Sequence, residues 1–330
     1  MKKVPISLQI DDPAPIISVY HEHATVSTTT DGRPIIPTFP NSFLDNFCDV
    51  IEKHGIKGKF SIVPMPGNKG DIVNGLEGVP REELDYWMDT VKKRVAPLFT
   101  IGPEMLTHHK PIDLATGKPI LEMNEEEWSF LQDRTTLTPY IGKALSLLKE
   151  AGFNPIGVTS PWKFGIKVED EYHHAISQAV YDVTGSKNAW FMTRGLYDMP
   201  NARPWVELDE DGRTLVSIPP SLQDRFWRTM NTTRTDDEYV NSIADMIISE
   251  DGKSGEMIYI LETNGFPIIV THWQSLNSNG LETGLRVLDV IASRVNKHLS
   301  DRVEWMSFEE IMNLVLANKE AFPKPENTGK

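Results

Sequence analysis

From one end of the chain to the other, short apolar runs alternate with longer amphipathic patterns, and few folds accommodate that rhythm. Eight runs read as strands, near residues 6–11, 58–64, 98–103, 155–160, 189–193, 215–218, 267–272 and 302–306. Helical periodicity falls between and after them, near residues 41–54, 81–96, 125–151, 170–184, 236–251, 281–299 and 308–319. Parallel strands need a crossover and a helix is the usual one, so this order predicts an α/β protein built on parallel sheet. Helix ends are marked by glycine in KHG (residues 53–55) and EAG (residues 150–152), and Ser307 with Glu310 forms a capping-box pattern. No compositional break suggests a linker, so a barrel is preferred over an open doubly wound sheet. Neither GxGxxG nor GxxxxGK[ST] occurs, which removes dinucleotide and P-loop readings.

In barrels of this class chemistry gathers at the C-terminal ends of the strands. The first strand makes the point. In VPISLQIDDPAP, residues 4–15, Ile6, Leu8 and Ile10 alternate with Ser7, Gln9 and Asp11, and the run then stops at Asp11 and Asp12 before two prolines. Tyr20, His21, Glu22 and His23 come next; Glu104, His108 and His109 follow the third strand, Ser160 and Trp162 the fourth, His272 and Trp273 the seventh. Five of the nine histidines thus fall at one predicted rim, beside an aspartate pair. Carboxylate and imidazole suit a divalent ion such as zinc when no thiolate is offered. Two adjacent aspartates at a strand end could divide the work, one on metal and one as a base, with the prolines holding the bend.

The remaining composition narrows the partners. There are 33 basic and 47 acidic residues, a formal charge of -14, which repels phosphate backbones and anionic lipid and argues against nucleic-acid or membrane partners. Cys48 is the only cysteine, so no intrachain disulfide or cysteine-based zinc cluster forms, and its helix-like surroundings favour a buried thiol. The N-terminal run lacks the pattern of a secretory signal and no window reaches the roughly 18 apolar residues of a membrane span, so a cytoplasmic protein is expected.

Taken together, the strand-terminal DD, the acidic and histidine motif after the third strand, the Pro-aromatic turn after the fourth and the strand-borne histidine near the end resemble the polysaccharide deacetylase superfamily, the NodB-like carbohydrate esterases. The similarity spans roughly residues 4–315. It implies an irregular (β/α) barrel of about seven strands, as a catalytic domain over residues 1–320 with residues 321–330 a flexible tail, and hydrolysis of an N- or O-acyl group. IDD matches the family's TFDD, which makes Asp11 the general base and Asp12 a metal ligand. EMLTH places Glu104 and His108 where the family has two histidine ligands, with His109, His21 or His23 able to complete the set. TSPW keeps Pro161 and Trp162 of the third motif but puts Thr159 where an arginine would orient the base. VTH makes His272 the general acid.

The expected enzyme is therefore a hydrolase that removes an acyl group, acetyl in the first instance, from a sugar or amino sugar, with a divalent metal of the zinc type. Substrate binding falls to His23, Pro161, Trp162 and Trp273. The aromatic and arginine-rich segment from Arg194 to Met230, with Tyr197, Trp205, Arg225, Phe226, Trp227 and Arg228, either stacks on sugar rings, closes the barrel or buries a homo-oligomer contact. The insertion between the third strand and its helix is long enough for a lid, and its EMNEEEW reads as an acidic helix start. The two departures from the family motifs leave two alternatives: a metal-independent amidohydrolase of small amides, or a catalytically silent carbohydrate-binding barrel.

Overall fold

The first strand sets the plan, because it is covered on both faces. In β1 (Val4–Asp11) every residue after Val4 is buried, in a computed structural model that describes residues 3–15 and 27–325. Ile6, Leu8 and Ile10 share a core cluster with Phe43, Phe47 and Ile51, which recur at helical spacing along α1 (Asn41–His54). The polar residues Ser7, Gln9 and Asp11 face the other way. The same alternation holds in β2 (Gly58–Ile62), where Lys59 and Ser61 are as deeply buried as Phe60 and Ile62.

The chain continues through α2 (Arg81–Thr90), β3 (Phe99–Pro103), α3 (Glu125–Ser129), α4 (Arg134–Glu150), β4 (Gly157–Thr159), α5 (Glu169–Thr184) and β5 (Asn188–Met192). A hairpin of β6 (Trp205–Glu210) and β7 (Arg213–Ser217) follows, then α6 (Asp237–Ile247), α7 (Glu256–Glu262), β8 (Ile268–His272), α8 (Trp273–Asn277), α9 (Thr283–His298), β9 (Val303–Trp305) and α10 (Phe308–Leu316).

These strands form two sheets. One runs β8-β1-β2-β3 with all neighbours parallel, and β9 pairs with the first residues of β1. The other runs β6-β7-β5-β4, parallel except for the β6/β7 hairpin. No continuous closed sheet forms among the described residues. Instead the two sheets meet at each margin through a single parallel bridge, Glu104 with Thr159 and Leu222 with Ile269. Trp190 fills the space between them near β3 and β4, and that close fit needs glycine: a Cβ on Gly157 would sit 2.3 Å from the indole and one on Gly102 2.7 Å from it.

Several expectations need correction. The helix read over residues 125–151 is two helices, because Asp133 caps the Thr136 amide and starts α4 afresh. Strand β6 and helix α7 were not expected at all. The insertion after β3 contains a small hairpin, Ile112–Asp113 with Lys118–Pro119, and none of the hairpin's residues lines the cavity described below. In the stretch expected to be a flexible tail, Phe322 is buried against Phe266 and Lys324 pairs with Glu207. Residues 326–330 lie outside the described residues.

Candidate active site

Parallel pairing puts Asp11 and His272 side by side, since they are register partners on β1 and β8. Register partners point to the same face, so both side chains reach one cavity of about 450 Å3. Asp12, Glu104, His108 and Trp162 line it too. Six of the residues read from the sequence as site candidates are thereby brought together.

The two aspartates diverge because the backbone turns sharply between them: Asp12 takes a left-handed φ of 61°. Asp11 accepts from Lys59 Nζ at 2.5 Å and from Gln9 Nε2 at 2.8 Å. Asp12 points instead to His108, with Oδ1 2.8 Å from Nε2, and accepts from Gln274 Nε2 at 3.0 Å. The Asp12 amide donates to Glu104 Oε2 at 2.6 Å. Met105, His108 and Trp162 also hold positive φ values, 47°, 52° and 47°, so this rim concentrates backbone conformations that cost non-glycine residues about 1–3 kcal/mol each.

What over-determines that backbone is a buried carboxylate. Glu125, at the start of α3, accepts from the amides of Thr107 (2.9 Å), His108 (2.8 Å) and Leu106 (3.2 Å), and from the Tyr140 hydroxyl at 2.6 Å. The helix-start reading of EMNEEEW holds for Asn124 and Glu127, which form the capping box, but Glu125 is turned inward and shapes the His108 loop.

Charges explain the electrostatics. Burial, then the charges of Asp12 and Asp11, raise Glu104 to about 8. Burial pushes His108 down, but Asp12 and Glu104 outweigh it and hold the imidazole well above its usual range. His272 behaves alike: burial lowers it, while the hydrogen bond to Asp224 and the charges of Asp12, Asp224 and Asp11 lift it to about 10. Asp224 Oδ2 lies 2.7 Å from His272 Nδ1, and the Trp227 indole nitrogen stands 3.1 Å from the same atom. With Nδ1 engaged, Nε2 is the nitrogen left for a substrate.

Asp12, Glu104 and His108 each offer a donor atom, all within 4.8 Å of one another, and all three residues are buried. Two carboxylates and an imidazole are a donor set that a divalent ion of the zinc type accepts. A cation there would also relieve the like charge that raises Glu104. The residues present therefore fit the ion.

Other candidates fall elsewhere. Trp273 is fully buried and packs edge-on against Phe47 and Phe60, so it belongs to the core and not to the cavity wall. Pro161 is buried below Trp162, its carbonyl accepting from Phe164, and does not line the cavity. His109 faces Asn68, with Nδ1 2.8 Å from Oδ1. His21 and His23 lie outside the described residues. From the aromatic segment, Arg194, Tyr197 and Trp227 reach the cavity, while Trp205 and Phe226 are buried.

Sequence reasoning missed three side chains that hold the cavity's residues in place. Lys59 is fully buried and also donates to Ser61 Oγ at 2.5 Å and to Thr159 Oγ1, so its three N–H groups all find oxygen. The signal was present: Lys59 alternates with Phe60 and so lies on the polar face of its strand. Glu125 was hidden in a run of acids, and Asp224 carried no signal, since it sits in a loop far from His272 in sequence.

No protein-family model and no curated protein matches the sequence. Among solved structures, the chain is similar to one described as "putative polysaccharide deacetylase" from Mycobacterium smegmatis, with a TM-score of 0.53 at 11% identity, covering 100% of this chain and 96% of that one. The resemblance read from the motifs is thus borne out at the level of fold. The chain is more distantly similar to a 4-alpha-glucanotransferase from Thermococcus litoralis, with a TM-score of 0.47 at 9% identity, covering 94% of this chain and 40% of that one. A GH57-type branching enzyme from Pyrococcus horikoshii is similar to a comparable degree, with a TM-score of 0.48 at 12% identity, covering 100% of this chain and 72% of that one. No helix among the described residues is long and apolar enough to cross a membrane.

Proposed function

We propose that this chain is a hydrolase that removes an acyl group, acetyl in the first instance, from a sugar or amino sugar. The observation that carries the reading is the registered pair Asp11 and His272, held side by side on one cavity by opposite buried partners, Lys59 and Asp224. A base and an acid so placed can work on the two ends of one bond cleavage. Asp11 takes a proton from water as its oxygen attacks the acyl carbon. His272 gives the Nε2 proton to the departing nitrogen or oxygen as the C–N or C–O bond breaks, leaving a carboxylic acid and the free amine or alcohol.

Asp12, Glu104 and His108 would hold a divalent ion, which when bound supplies polarisation of the acyl carbonyl and of water. Lys59 keeps the Asp11 carboxylate oriented, a task it takes over from a different strand now that Thr159 stands in the third motif. The exposed faces of Trp162 and Tyr197, with Trp227, supply the ring surfaces on which a pyranose stacks. On this reading the two bridged sheets act as an irregular barrel open at the rim.

The test is a panel of N- and O-acetylated sugars with small amides beside them, assayed before and after chelation and with the metal content measured. Release of acetate from a sugar, lost on chelation and restored by zinc, is the expected result. Turnover confined to small amides and indifferent to chelation would replace this reading with the metal-independent amidohydrolase. Saturable sugar binding with no hydrolysis across the panel would replace it with a silent binding protein.

A further inference from the structure

A second cavity lies at the other end of β1. Strands rise about 3.3 Å per residue, so Val4 is roughly 20 Å from the rim where Asp11 stands. The cavity measures about 330 Å3, and its wall is largely hydrocarbon, from Val4, Pro5, Phe266, Leu314 and Phe322. Into this surface is set Arg203, whose guanidinium carbon lies 4.6 Å from the Phe322 ring centre and 5.1 Å from that of Phe266. The two rings stand nearly perpendicular, at 85°, and so cradle it.

Arg203 lacks what other partly buried arginines here possess. Arg194 pairs with Glu169, Arg225 with Glu256 and Arg294 with Asp245, but no carboxylate among the described residues lies in ion-pair reach of Arg203. Its Nε is buried and has no hydrogen-bond partner. No aspartate or glutamate lines the cavity, and Lys3 adds a second cation, in a chain whose formal charge is -14. Burial lowers the guanidinium's pKa with no acid opposing it. Unpaired polar groups of this kind are costly to bury and are ordinarily satisfied by something.

We infer that this cavity binds a small amphipathic carboxylate, its oxygens on Arg203 and its hydrocarbon tail against Phe266, Phe322 and Leu314. The guanidinium presents in-plane donors that match a carboxylate, and the aromatic rings cover its faces. A neutral apolar guest would leave Nε unpaired, an amine would meet Arg203 and Lys3, and a bare inorganic anion would leave the apolar wall unused. The volume sits at the small end of the ~300–1,000 Å3 range of small-molecule sites, which suits a short chain. The inference does not depend on the proposed hydrolysis.

Calorimetric titration of the full chain with octanoate tests it, with octanol, octylamine and inorganic phosphate run alongside. Octanoate is expected to bind one per chain, the other three at least about tenfold more weakly, the ratio that a lost charge-assisted contact produces. Arg203→Met should weaken octanoate to a similar degree. Ala321→Phe, which keeps the arginine but fills the space, should abolish binding and so locate the site, with thermal unfolding of both variants measured to show that they are folded. Failure of octanoate to bind, equal binding by folded Arg203→Met or Ala321→Phe, or phosphate binding as tightly as octanoate would overturn the inference.

Discussion

Asp11 and His272 are neighbours in the same sheet, yet the structure holds them in contrasting ways. Asp11 rests on a strand: its partner Lys59 sits in β2, fully buried, with every donor engaged. His272 rests on a loop: its partner Asp224 lies beyond β7, and the imidazole remains 28% exposed. The proposed base is thus fixed by the same packing that stabilises the sheet, whereas the proposed acid is held by a segment outside the strands. Substitutions on the two sides should therefore separate stability from chemistry.

The largest expected effect on activity is from His272→Ala, which removes the proposed acid and should lower turnover about 10²–10⁴-fold, with some loss of stability near neutral pH because the buried Asp224 is left without its cation. Lys59→Met should do the reverse in emphasis. It leaves a buried carboxylate without its cation, so the folded state should lose about 3–5 kcal/mol in denaturant titration, with activity falling alongside. A stable, active Lys59→Met would show that Asp11 does not depend on the strand.

Asp224→Asn should act on pH dependence. His272 is raised from about 6.5 in an unfolded chain to about 10, so the stability it contributes is full below about pH 6.5 and is lost as pH rises toward 10. In the proposed reaction the protonated imidazole is the acid, so activity should likewise fall on the alkaline side. With Asp224 neutralised, that alkaline limb should move about one to three pH units lower, read from a kcat/KM profile, while unfolding changes less than in Lys59→Met. The smallest effect should be that of Trp162→Ala, whose ring packs edge-on against His108 at 4.6 Å and is 42% exposed. A few-fold rise in KM with kcat nearly kept is expected, because a rim contact mainly serves binding.

The same contrast explains what was legible in the sequence. All eight expected strands are present, because short apolar runs bounded by turn residues leave little choice of element. The missed β6 carried a weaker pattern, WVELDE, although Asp211-Gly212 with φ of 52° and 71° is a hairpin turn with a recognisable signature. Asp11, Asp12, Glu104 and His272 could be placed at the cavity because each stands at or just past a strand end, and His108 because it follows β3 by one loop turn. Trp273 misled for the same reason: following a motif residue, it starts a helix that turns the indole into the aromatic core beside Phe43. Lys59 and Asp224 escaped because a buried charge is defined by its partner, and partners distant in sequence appear only once the strands are in register.

The most direct test of the account is the hydrolysis rate of Asp11→Asn on an acetylated sugar that the native chain turns over, with folding checked by thermal unfolding. The account predicts a folded protein whose turnover drops by about 10²–10⁴ or more, the size of a lost general base. A folded Asp11→Asn that retains native turnover would contradict it and remove the catalytic role from the end of the first strand.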